Sequence, residues 1–214
     1  MTTDKDYVLG THDQEIERLG LQHRVWRPRV TDAWRRAGFT VGQTLLDIGC
    51  GPGYATIDLA EIAGREGRAI GIDRSRRFLD AGAAAARARG LANIEWLEQD
   101  LDEQDLPALQ ADGAWSRWVY AFVRDPRALL ARWLEELGFE VRELRPWVAV
   151  ARPNDFVAQW PDAFVDVGVQ RLVDLGRVDA ARAEAIRDAY RESQSTPGAF
   201  QLTPTVLEII ATKR

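Results

Sequence analysis

Apolar positions in this chain alternate between short continuous runs and stretches at helical spacing. Leu45-Leu46-Asp47-Ile48 is the first run, and it ends in Gly49-Cys50-Gly51-Pro52-Gly53. Tyr54 to Ala63 follows as a helix, with Ile57, Leu59, Ala60 and Ile62 apolar. Arg68 to Asp73 reads as a second strand, and Arg76 to Arg89 as an Ala-rich helix that Gly90 stops. Asn93 to Leu101 and Asp112 to Val119 read as strands three and four. Strands alternating with crossover helices predict an α/β fold, a doubly wound and mostly parallel sheet. Such sheets bind ligands at the carboxyl ends of their strands.

The flanks predict a helical arm and a helical lid. Residues 1 to about 10 are polar and predict no element. Asp13 to Ala37 reads as helix, with Ile16, Leu19 and Leu21 opening an apolar face, a break at Pro28, and Gly38 as the stop. After strand four, Asp125-Pro126 opens a helix running to Leu137, and Glu140 to Leu144 is a strand. Asp162 is expected to cap a helix towards Leu175, and Asp179 another through Tyr190. These helices form an insertion over about 154–193, before a last strand, Val206 to Ala211.

The chemistry gathers at the strand ends. Gly49 and Gly51 lack a Cβ, so the backbone there can turn sharply and admit a ligand closely. The spacing is Gly-x-Gly-x-Gly, with Tyr54 where a dinucleotide fingerprint has its third glycine. Asp73 lies about 20 residues further on, where an acid accepts hydrogen bonds from ribose hydroxyls; the alternative is an N-cap of the next helix. Asp100 and Leu101 end the third strand, beside a solvated acidic loop with Asp102, Glu103 and Asp105. Ser116 and Arg117 end the fourth. Arg117 either pairs with a ligand carboxylate or stacks on Trp115 or Trp118.

The segment Leu45 to Gly53 resembles the first motif of class I S-adenosylmethionine-dependent methyltransferases of small-molecule type. The resemblance covers residues 7 to 130 well and the C-terminal third loosely. It implies a Rossmann-like methyltransferase fold with one domain over 1–214: an arm over 1–38, a cofactor-binding half over 39–130, and a C-terminal half over 131–214. It implies that Tyr7, Gly49, Cys50, Gly51, Asp73, Arg74, Asp100, Leu101, Ser116 and Arg117 hold S-adenosylmethionine. Asp73 would take the ribose, and Asp100 and Leu101 the adenine. The arm from Tyr7 to Gln22 would fold over the site, bringing in Tyr7, His12 and Gln22. The family places two helices and a fifth strand after strand four, where this chain has room for one helix. Either the sheet lacks that strand, or residues between Leu130 and Trp133 are not neighbours in the natural chain; the second reading is favoured.

Composition narrows the partners. The net charge is -5, and acids are interleaved with the arginines throughout, which disfavours nucleic acid. Strand four is followed by neither Asn/Asp-Pro-Pro-Tyr nor Pro-Cys, the family's signatures for acting on exocyclic amines or C5 of nucleic acid bases. No apolar run reaches the ~18 residues of a membrane span, and no signal-peptide pattern opens the chain. The single Cys50 fits a reducing cytoplasm, and two histidines and one cysteine give no metal-ligand spacing. The expected activity is methyl transfer from S-adenosylmethionine to an O, N or C nucleophile of a small molecule, by a cytoplasmic enzyme and possible homodimer. The alternatives are a non-catalytic or truncated S-adenosylmethionine-binding protein and an NAD(P)-dependent oxidoreductase. His12, His23 and Tyr120 are candidate proton-transfer residues by type alone.

Overall fold

The computed structural model describes residues 10–104, 109–131 and 138–213. The first helix, α1 (Asp13–Ala37), runs unbroken through Pro28, contrary to the expected break. Its buried face continues across the proline: Trp26 lies before it, and Val30, Ala33 and Trp34 after it. Proline inside a helix costs about 3 kcal/mol, and burying several large side chains at roughly 1.5–3 kcal/mol each outweighs that. The Thr31 hydroxyl also donates to the carbonyls of Arg27 (2.9 Å) and Pro28 (3.1 Å). Gly38 ends α1 at φ 86°, a left-handed conformation that suits glycine.

Four strands form the parallel sheet, in the order β3-β2-β1-β4. They are β1 (Thr44–Ile48), β2 (Arg68–Asp73), β3 (Ile94–Glu98) and β4 (Gly113–Ser116). The crossover helices are α2 (Tyr54–Ala63) and α3 (Arg76–Ala88). In β1 and β2 nearly every position is buried, as expected of central strands covered on both faces. One face packs Leu45 and Ala69 against Trp34, Leu59 and Ala63; Leu46, Ile48, Ile70 and Ile72 form a second cluster.

Strands three and four stop earlier than their sequence suggests. β3 ends at Glu98, because the Asp100 side chain accepts the Asp102 N–H (2.9 Å) and turns the chain out of the ladder. β4 ends at Ser116, because Trp118 takes φ 67° and leads into a 3₁₀ turn over Val119–Ala121.

Trp96 sits on β3 over a floor of glycines. A Cβ at Gly53, Gly71 or Gly82 would lie 2.3, 2.9 or 2.7 Å from its ring. The indole therefore fills space that side chains on the loop, on β2 and on α3 would otherwise take.

The C-terminal part begins with α4 (Pro126–Ala131) and β5 (Phe139–Trp147). The elements β6 (Val150–Ala151), α5 (Gln159–Asp174), α6 (Ala180–Ser195), β7 (Gln201–Leu202) and β8 (Val206–Lys213) follow. β5 and β8 pair antiparallel as a separate ribbon, with a bulge between Val141 and Glu143. Among the described residues, no strand pairs with the outer edge of β4. The segment between Leu130 and Trp133, on which the expectation of non-neighbouring residues rests, falls partly outside the described residues. The ribbon is tied to α1 by charge: Arg36 pairs with Glu143 and Glu208, and Arg29 with Glu208 at 3.1 Å.

Two helix starts compare differently with expectation. Asp179 caps α6, accepting the Arg182 N–H at 2.7 Å. Asp162 does not cap α5. A 3₁₀ turn over Phe156–Ala158 leads into that helix four residues earlier than expected, and Asp162 instead accepts the Tyr190 hydroxyl of α6 at 2.6 Å.

Gly53 combines φ 75° with the close approach of Trp96. Gly53→Ala should lower stability by roughly 2 kcal/mol or more, from left-handed strain plus displacement of the indole. Urea denaturation measures this, and an unchanged midpoint would contradict the packing described.

Candidate functional site

A cavity of about 150 Å³ opens at the carboxyl ends of β1, β2 and β4, under α1. Its floor is the glycine loop. The Gly49 and Cys50 N–H groups both donate to the Ile72 carbonyl (2.8 and 2.9 Å), which fastens the loop to β2. Gly49, Gly51 and Gly53 all have positive φ. A Cβ on Gly49 would fall 2.1 Å from Val119 Cγ2, whereas one on Gly51 would meet nothing nearer than Leu19 at 4.0 Å. Gly49 is thus required by packing, and Gly51 leaves open backbone towards the cavity.

Asp73 stands at the tip of β2. Its Oδ2 accepts the Gly51 N–H (2.8 Å) and its Oδ1 the Ser75 N–H (2.9 Å). Burial pushes its carboxyl above the ordinary value, against the pull of these two bonds. The Arg74 backbone N–H and charge also pull on it, and the carboxylate keeps acceptor capacity beyond these contacts.

Asp47 lies within β1, almost fully buried, and accepts the Thr56 hydroxyl at 2.6 Å. Burial raises its pKa to about 6, with a smaller push from Asp73; Thr56 and Arg117 oppose the rise. Arg117, at the end of β4, is drawn down to about 10 by burial, with Asp47 and Asp58 opposing. It remains a cation at neutral pH, and its Nη1 is buried with no hydrogen-bond partner among the described residues. Its Nη2 donates to His23 Nδ1 at 3.3 Å. His23 is buried and also held by Asp58 (3.0 Å), and burial lowers its pKa. The Cys50 thiol is buried and pushed well up, first by burial and then by Asp73 and Asp47, so it is a packed side chain and not a nucleophile.

An apolar and aromatic part of the wall is made by Leu19, Tyr54, Phe78, Trp118, Phe122 and Val123. Trp118 stacks on Trp160, with centroids 5.8 Å apart and planes at 24°. Trp26 meets Trp118, Trp147 and Trp160 edge-on. The Trp160 indole N–H donates to Gln22, another residue of the wall, at 2.9 Å.

Residues 45–138 match the family model described as a methyltransferase domain. Over these residues the chain is similar to methyltransferase domains. The demethylmenaquinone methyltransferase of Lactococcus lactis is 36% identical over 77 residues, which are 36% of this chain and 29% of that one. The 2-phytyl-1,4-naphtoquinone methyltransferase of a Nostoc species is 31% identical over 157 residues, 70% of this chain and 64% of that one. The chain thus spans less than two thirds of the length of these relatives. A SAM-dependent methyltransferase from Geobacter sulfurreducens, solved with S-adenosyl-L-homocysteine, superposes with a TM-score of 0.52 at 17% identity. The overlap covers 87% of this chain and 90% of that one. At that identity the likeness shows the fold, a Rossmann-like parallel sheet.

Within this methyltransferase domain, Gly49, Cys50, Gly51, Asp73, Arg74, Asp100, Leu101 and Arg117 all line the cavity. Ser116 does not; its hydroxyl is buried without a partner among the described residues. Tyr7 lies outside the described residues. His12 is the N-cap of α1, its Nδ1 accepting the Glu15 N–H at 3.2 Å, and it does not line the cavity. Tyr120 does not line it either, and burial raises its phenol to about 12, so the hydroxyl stays protonated at neutral pH. Sequence reasoning passed over Asp47, Gln99 and Trp118 as wall residues. Asp47 had a visible signal, a carboxylate within an otherwise apolar central strand; the other two had none.

Asp47 yields a test with a definite sign. Its folded pKa exceeds the ordinary 3.8, so its contribution to stability is full below that value and is lost as pH rises through about 6. Asp47→Asn cannot ionise. The stability of the native protein minus that of Asp47→Asn should therefore fall by on the order of 1–3 kcal/mol between about pH 4 and pH 7 and then level off. Denaturant titrations across that range measure it, and a flat difference would refute the perturbed carboxyl.

Proposed function

We propose that this chain binds S-adenosylmethionine in the cavity and transfers its methyl group to an O, N or C nucleophile of a small molecule. One observation carries the reading: a carboxylate with spare acceptor positions, Asp73, is fixed against a glycine loop whose Gly51 backbone is open to the cavity. The residues fit the cofactor. Asp73 can accept both ribose hydroxyls. Asp100 and Leu101 lie on the same wall for the adenine, and Arg117 presents a buried, unpartnered N–H for a carboxylate.

When bound, the cofactor supplies an electrophilic methyl on a sulfonium. The chain's residues supply position and a dry environment. The glycine loop and Asp73 orient one partner, the apolar wall of Leu19, Trp118, Phe122 and Val123 excludes water, and catalysis comes from alignment. No wall residue is set up as a strong base: His23 is engaged at both ring nitrogens, and its pKa is lowered.

The quinone names of the relatives, together with this aromatic wall, support a flat apolar acceptor. We read residues 1–214 as one methyltransferase domain acting in the cytoplasm, for which a homodimer is one possible assembly. The net charge of -5 supports a partner other than nucleic acid. No helix among the described residues is long and apolar enough to cross a membrane.

Calorimetry with S-adenosylmethionine, S-adenosylhomocysteine and NAD tests the cofactor. Binding of the first two and not of NAD is expected. Asp73→Ala should weaken binding by roughly 10-fold to 100-fold, the worth of charge-assisted hydrogen bonds. Failure of the unsubstituted protein to bind either sulfur ligand would sink the proposal.

A further inference from the structure

A chain of four polar side chains crosses the domain behind the cavity. Arg27 on α1 donates to both oxygens of Asp58 on α2, at 2.7 and 3.3 Å. Asp58 Oδ2 also accepts from His23 Nε2 at 3.0 Å. That bond places the imidazole proton on Nε2 and leaves the Nδ1 lone pair to accept from Arg117 Nη2 at 3.3 Å. The guanidinium ends in Nη1, which is buried, has no acceptor among the described residues, and belongs to a residue of the cavity wall. His23 itself is buried, and Tyr54 stacks along it with ring centroids 6.1 Å apart.

This arrangement makes little sense as a device for stability alone. A buried cation with an idle N–H is costly, and the cost is relieved only when an anion completes its hydrogen bonds. Asp47 and Asp58 hold Arg117 as a cation by their charge, while neither is bonded to Nη1. A planar guanidinium pinned at one nitrogen presents the other in a fixed direction, as recognition of a carboxylate requires.

We infer that Arg27, Asp58 and His23 form a positioning relay that aims Arg117 Nη1 at the carboxylate of the ligand's amino-acid end. The inference rests on the cofactor reading above. Arg117 makes the contact; His23 acts only through it.

The test compares two ligands that share the adenosyl thioether and differ in the amino-acid end. S-adenosylhomocysteine carries the carboxylate, and methylthioadenosine lacks it. Calorimetry on the full chain should find that His23→Phe weakens S-adenosylhomocysteine on the order of 10-fold more than it weakens methylthioadenosine. Methylthioadenosine binding also reports that the variant is folded. His23→Asn, whose Oδ1 can replace Nδ1 as acceptor, should recover most of the loss and covers the case in which the Phe variant fails to fold. Arg117→Met should lose the preference between the two ligands, and adding His23→Phe to it should cost nothing more, because the two act as one unit. Equal weakening of both ligands by His23→Phe, or full additivity with Arg117→Met, overturns the relay alone. If the unsubstituted protein binds neither ligand, the cofactor reading falls, and the relay falls with it.

Discussion

Two backbone N–H groups, from Gly51 and Ser75, converge on the single carboxylate of Asp73. With the Ile72 carbonyl collecting the Gly49 and Cys50 N–H groups, this makes the glycine loop a continuation of the ladder between β1 and β2. A loop of glycines has much conformational entropy to lose, and here three hydrogen bonds, from the N–H groups of Gly49, Cys50 and Gly51, hold it to the tip of one strand. The cavity inherits its shape from that fastening. The floor, the start of α2 and the start of α3 all depend on where the tip of β2 lies.

The electrostatics follow from the same crowding. Asp47 and Asp73 sit close enough to raise the pKa of Asp47, and both push up Cys50. Arg117 offsets Asp47 and Arg74 offsets Asp73, and Arg117 is drawn into a place where burial alone would disfavour its charge. The cavity thus gathers four carboxylates, of Asp47, Asp73, Asp100 and Asp102, and two guanidiniums, of Arg74 and Arg117, beside apolar side chains, a mixture that favours a ligand with polar groups and an apolar body.

Much of this was legible in the sequence, for physical reasons that differ by region. Central strands buried on both faces must be continuous apolar runs, so β1 and β2 stood out, and left-handed glycines betrayed the loop and the end of α1. Pro28 misled because local propensity was outweighed by tertiary burial of Trp26 and Trp34. The ends of β3 and β4 were set by an Asx turn at Asp100 and by the left-handed Trp118, and neither has a strong signature. The pairing of Arg117 with His23 joins residues far apart in the chain, and no local pattern announces such a contact.

The outer edge of β4 and the β5–β8 ribbon share no hydrogen-bond ladder among the described residues. The ribbon is attached to α1 by Arg29 and Arg36, and α5 by contacts such as Trp160 to Gln22. Side chains, not the backbone, join the lid to the cofactor half. Backbone ladders tolerate few changes, whereas indoles and ion pairs can be exchanged one at a time. The side chains that join the lid to α1, such as Trp160 and Arg36, can therefore change without disturbing the strand tips and glycine loop that shape the cavity floor.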